Sequence, residues 1–82
     1  MAVVIRKKLE KAASAKGLNS IVRVYARDSE NWTASVSLYD QQDVCVEAFY
    51  SNGFVLTKKD AMYWVPRLVD DAMDAVEAMD PI

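Results

Sequence analysis

The chain has no histidine and a single cysteine, Cys45, among 82 residues. Without histidine, Ser-His and Cys-His nucleophile pairs and imidazole metal sites are excluded. One thiol can neither close an internal disulfide nor build a zinc site, and it fits a reducing cytosol. Cys45 lies in an alternating segment with no activating neighbour in sequence, so it reads as a packed, unreactive thiol. The two glycines, Gly17 and Gly53, stand too far apart for a phosphate-binding loop or a dinucleotide fingerprint. No run approaches the ~18–20 apolar residues of a membrane span. The start, Met1 to Lys8, places its charges after its apolar residues and does not read as a signal peptide. Little glycine and proline beside 52% hydrophobic residues excludes a disordered or low-complexity chain. What remains is one globular domain over residues 1–82, of which folding buries only ~60–65% of the surface. Most core positions must then serve stability, leaving little for an enclosed cavity.

The formal charge of −2 hides an asymmetry. Residues 1–27 carry +6, with Glu10 the sole acid, and residues 28–82 carry −8. Either the two segments neutralise each other in the fold, or one of them meets a charged partner.

The hydrophobic period changes along the chain. Val4 to Lys16 reads as an amphipathic helix, with Ile5, Leu9, Ala12 and Ala13 on one stripe and Gly17 as its positive-φ cap. Ser20–Arg27, Trp32–Tyr39 and Val44–Tyr50 alternate with period two, separated by the polar turns Asp28–Asn31 and Asp40–Asp43. These connections predict a three-stranded antiparallel meander. After a turn at Ser51-Asn52-Gly53, Thr57 and Asp60 form a helix start, and a stripe of Ala61, Val65, Leu68, Ala72, Val76 and Met79 follows. Pro66 interrupts that stripe and predicts a kink or a split into two helices; Pro81 ends it. The expected architecture is α+β in the order α-β-β-β-α. Both helices should cover the Val22/Val24, Ala34/Val36/Leu38, Val44/Val46 face. The other face should show Ile21, Arg23, Tyr25, Arg27, Ser35, Ser37, Tyr39, Glu47 and Phe49 to solvent.

Carboxylates cluster at Asp70, Asp71, Asp74 and Glu77 on one helix face, with no pocket and no calcium-loop geometry implied. The expectation is a non-enzyme without metal or cofactor. Three surfaces are candidates for binding. The acidic stripe is either a solvated helix face or a decoy for a basic groove that normally receives nucleic-acid phosphates. Lys7, Lys8 and Lys11, with Lys58 and Lys59 at a helix start, are either solvated lysines paired with nearby acids or phosphate contacts. Arg23, Tyr25, Tyr39 and Phe49 on the open sheet face suit a protein interface, base stacking or a homodimer, unless they are merely exposed.

The element order, together with Gly53-Phe54-Val55-Leu56-Thr57-Lys58-Lys59-Asp60-Ala61, resembles the double-stranded-RNA-binding domain and its Ser/Thr-Lys-Lys-x-Ala helix entry. That resemblance implies phosphate contacts for Lys58 and Lys59, joined by Lys7 and Lys11. The chain departs from the family at Met62, where another lysine is usual, and in the acidic loop Asp28-Ser29-Glu30-Asn31. By type, a small acidic α+β domain with no catalytic set also resembles phage-encoded inhibitors of bacterial defence, anti-CRISPR proteins among them. This implies a host protein partner in the cytoplasm, of the kind that handles nucleic acid, and carries over no residue roles.

Overall fold

The computed structural model describes residues 2–51 and 55–79, with side chains described from Arg6 onward. Helix α1 (Ala2–Ala15) is followed by strands β1 (Asn19–Ala26), β2 (Trp32–Tyr39) and β3 (Cys45–Tyr50), then by helix α2 (Lys58–Ala78). The strands form one antiparallel sheet in the order β1-β2-β3. The α+β class and the α-β-β-β-α order are therefore as the hydrophobic periods predict. The turn at Asn52-Gly53, Phe54, the stop at Pro81 and the side chain of Ile5 lie outside the described residues.

Local chemistry sets the element ends. Gly17 adopts φ 75°, the Gly17 N–H donates to Ser14 O and the Leu18 N–H to Ala13 O, which closes α1 with a Schellman motif. The motif's apolar contact is supplied by Leu18 and Ala13, both buried. Thr57 is extended and its hydroxyl accepts from the Asp60 N–H at 3.1 Å, which starts α2. In the second hairpin the Asp40 carboxylate accepts from the Gln42 and Val44 N–H groups, and Asp43 takes the left-handed conformation at φ 62°.

Helix α2 is continuous from Lys58 to Ala78 with Pro66 inside it, so of the two expected alternatives, a kink or a split, the split does not occur. The proline leaves the carbonyl four residues earlier without its ladder donor. That carbonyl belongs to Met62, which is exposed, so water can take the donor's place. The buried face of α2 is Ala61, Val65, Leu68, Val69, Ala72 and Val76. It packs on Ala34, Val36 and Leu38 of the central strand, all fully buried, and on Leu9 and Ala13 of α1.

One prediction about the sheet is corrected. β3 pairs Phe49 with Val36 and Glu47 with Leu38, then slips so that Cys45 faces Tyr39 and Val46 is the extra residue. Phe49 consequently lies on the helix-covered face, half-buried against the core, and Val44 and Val46 are exposed. Phe49 and Glu47 thus leave the open face, where Ala48 and Tyr50 replace them. Both phases of Val44–Tyr50 are half apolar, and burying the larger Phe49 ring removes more apolar surface than burying a valine.

Two left-handed residues give opposite expectations. Gly17→Ala should cost about 1 kcal/mol, whereas Asp43→Gly should gain up to about 1 kcal/mol. Urea unfolding of the two variants should move the midpoint in opposite directions; a stabilised Gly17→Ala would contradict the capping geometry.

Candidate interaction surfaces

The outward face of α2 carries more than the acids alone. At 3.6 residues per turn, positions 63, 67, 70, 74 and 77 fall on one stripe. Asp70, Asp71, Asp74 and Glu77 are all exposed there, and Tyr63 is the most exposed of the large hydrophobic residues described, at 69%. Tyr63 was missed in the sequence because it lies on the polar side of the helix, outside the apolar stripe. Arg67 sits in the same stripe, but its guanidinium lies 5.4 Å from the centroid of the half-buried Trp64 ring. Such a cation–π contact is worth about 0.5–1 kcal/mol at an exposed site and draws the charge towards the ring. The tyrosine and the carboxylates stand on a 21-residue helix whose opposite face is locked in the core, so their spacing is fixed.

Helices α1 and α2 run parallel. Arg6 lies beside Met62 and Val65, Lys8 beside Asp70 and Asp74, and the Lys16 ammonium donates to the Met79 carbonyl at 2.6 Å. That last bond supplies a cation to the C-terminal end of α2, where the helix dipole is negative. Lys8, Asp70, Met73 and Asp74 line an open cavity of about 440 Å³ along the seam. Lys8 thus shares a cavity with one edge of the acidic stripe, while Asp70, Asp71, Asp74 and Glu77 all stay exposed. Lys7, Lys11, Lys58 and Lys59 are all exposed. The α1 cation beside the first turns of α2 is Arg6, which the resemblance to the RNA-binding family does not single out.

The turn Asp28–Asn31, where the chain departs from the RNA-binding family, is held together by its own acid. Asp28 accepts from the Glu30 N–H at 2.9 Å, the Asn31 N–H at 2.9 Å and the Asn31 side-chain amide at 3.1 Å. These bonds, led by the Glu30 N–H, stabilise the ionised carboxylate and hold it below the ordinary aspartate value of 3.8. Negative charge is thus built into the turn.

On the open sheet face the strand register defines cross-strand rows. Asn19, Tyr39 and Cys45 form one row, Ile21, Ser37 and Ala48 the next, then Arg23, Ser35 and Tyr50, then Tyr25 and Thr33. Ser35 and Ser37 are not shown to solvent as expected: with Thr33 they are buried as a floor of small hydroxyl residues, while the larger Ile21, Tyr25 and Tyr50 stand exposed on either side. Arg23, Tyr25 and Tyr39 are on this face as expected; Phe49 is not, and Tyr50 was missed because the bulge inverts the end of β3. Cys45 is exposed, with its thiol donating to the Glu47 carbonyl at 3.4 Å, and is not the packed thiol expected. Among the described residues no cluster of carboxylates and thiol has metal-ligand geometry, and no helix is long and apolar enough to cross a membrane.

No protein-family model, curated protein or solved structure matches the chain. The likeness to the double-stranded-RNA-binding domain therefore rests on the order of elements and assigns no residue a role.

The lowered Asp28 carboxyl has a consequence for stability. Native protein binds fewer protons here than the unfolded chain, so the stabilisation is complete above the ordinary aspartate range. It is lost as pH falls through the lower folded value. Asp28→Ala should therefore weaken the fold near neutral pH and converge with the parent chain in acid. Urea titrations at about pH 7 and about pH 2.5 check this, and a gap that fails to narrow would contradict it.

Proposed function

We propose that the chain is a non-enzymatic protein-interaction module that presents the outward face of α2 to a basic groove on a partner. In this reading it acts in the manner of small phage-encoded, anti-CRISPR-type inhibitors, occupying a surface where a cytoplasmic host complex would hold nucleic acid. The observation that carries it is the single rigid stripe of Tyr63, Asp70, Asp74 and Glu77, with Asp71 beside it, all exposed. Carboxylates at helical spacing offer a row of negative charge to a groove lined with Lys and Arg, which steers and orients docking. An exposed tyrosine at one end supplies an anchor of the kind that dominates interface energetics.

Duplex RNA binding through Lys7, Lys11, Lys58 and Lys59 is the second reading. It is favoured by the exposure of all four lysines and by the parallel helices, and opposed by the acidic Asp28 turn. A homodimer through the open sheet face is a third, resting on exposed Ile21, Tyr25 and Tyr50.

Reversing Asp70, Asp74 and Glu77 to Lys should abolish capture of nuclease-resistant proteins from bacterial lysate and leave the circular-dichroism melt near that of the parent. Capture by the folded variant at parental levels would overturn the acidic-face reading. Material lost on nuclease treatment, with duplex binding that weakens steeply in salt and disappears in Lys58→Glu/Lys59→Glu, would transfer the function to the lysines.

A further inference from the structure

The helix layer is wider than the sheet beneath it. Helix α2 lies over the central strand and touches β1 and β3 on either side, whereas α1 packs on α2 and β1. Packed helices are spaced ~8–10 Å apart and strands ~4.8 Å, so the axis of α1 falls about one strand spacing outside β1. Two helices roof the width of four strands, and the sheet has three.

The side chains beneath α1 register the shortfall. Val22 and Val24 point into the helix layer like Ala34 and Val36, yet they are only half-buried while Ala34 and Val36 are fully buried. Together with Arg6, Met62 and Val65 they line a cavity of about 210 Å³. On the opposite face of the same strand, Ile21 and Tyr25 are exposed. β1 is an edge of eight residues with no proline, no bulge and Arg23 as its one charge, and among the described residues no strand pairs with its outer N–H and C=O groups. β3, at the other edge, is shorter and bulged.

We infer that the outer edge of β1, roofed by α1, is a docking site for an extended peptide segment of a partner in which apolar and acidic residues alternate, added as a fourth strand. Alternate side chains of an added strand point to opposite faces. The apolar ones enter the cavity by Val22, Val24 and Met62, with Arg6 at its wall; the acidic ones lie beside Arg23 on the open face. Acidity is selected more broadly because α1 and β1 together carry a net +4, with Glu10 their one acid. A second copy does not fit. Two-fold pairing of β1 with β1 would bring both α1 helices over the same two strands, at about half the separation packed helices need. The inference is independent of the acidic stripe on α2.

The test uses a labelled peptide of about ten residues alternating valine and glutamate, roughly one strand long, against the intact chain. The expected result is saturable binding, with slowed hydrogen exchange at alternate amides of β1 and weaker binding by a valine-lysine peptide. Arg6→Glu/Arg23→Glu should lower affinity by about tenfold. Reversal of Asp70, Asp74 and Glu77 should not weaken binding, which separates this site from the α2 surface. No binding at millimolar peptide, equal binding of the lysine peptide, or protection confined to α2 or β3 would overturn the inference. So would β1 protection that rises with protein concentration in the absence of peptide, since that would mean a second copy occupies the edge.

Discussion

The structure depends on one contact layer, the burial of Ala34, Val36 and Leu38 of the central strand beneath Val65, Val69, Ala72 and Val76 of α2. A chain this short can fill only one such layer, and these residues are its centre. Everything else is arranged around that seam. α1 adds Leu9 and Ala13 from one side, Phe49 and Trp64 add aromatic area at the edges, and Val55 returns the chain along β2 with its carbonyl accepting from the Trp32 N–H. Because α2 must lie along the central strand, its outward face is held at a fixed orientation, and so is every charge on it.

That single layer also explains the division of surfaces. With both helices on one side, no helix or strand among the described residues covers the other side of the sheet, and small buried hydroxyl residues line the middle of that face. The parallel packing of the helices places Lys8 beside Asp70 and Asp74 and Lys16 on the end of α2. Part of the segregation between the basic first third and the acidic remainder is offset at the seam. Asp70, Asp71, Asp74 and Glu77 of α2 and the lysines Lys7, Lys11, Lys58 and Lys59 all stay exposed.

The legible features were those fixed by local chemistry. Gly17 as a cap, Thr57 as a helix start, the polar turns and the Trp32–Tyr39 strand follow from residue types a few positions apart, and each is where its pattern places it. The phase of β3 was illegible because Val44 and Val46 on one side compete with Cys45 and Phe49 on the other, and a bulge allows both phases within one strand. Of the candidate site residues, the acids of α2 could be read from helical spacing. Tyr63, Tyr50 and the under-covered edge of β1 could not, since exposure depends on what lies beside a residue in space.

The sequence by itself determined the class, the element order, the caps and the separation of charge, all of which are written in neighbouring residues and their periods. Only the tertiary structure decided three things. Pro66 is carried within an unbroken helix, because Met62 is on its wet side. Phe49 turns inward, because the core gains more from its ring than from a valine. Among the described residues β1 has no strand on its outer edge under α1, because packed helices stand about twice as far apart as paired strands.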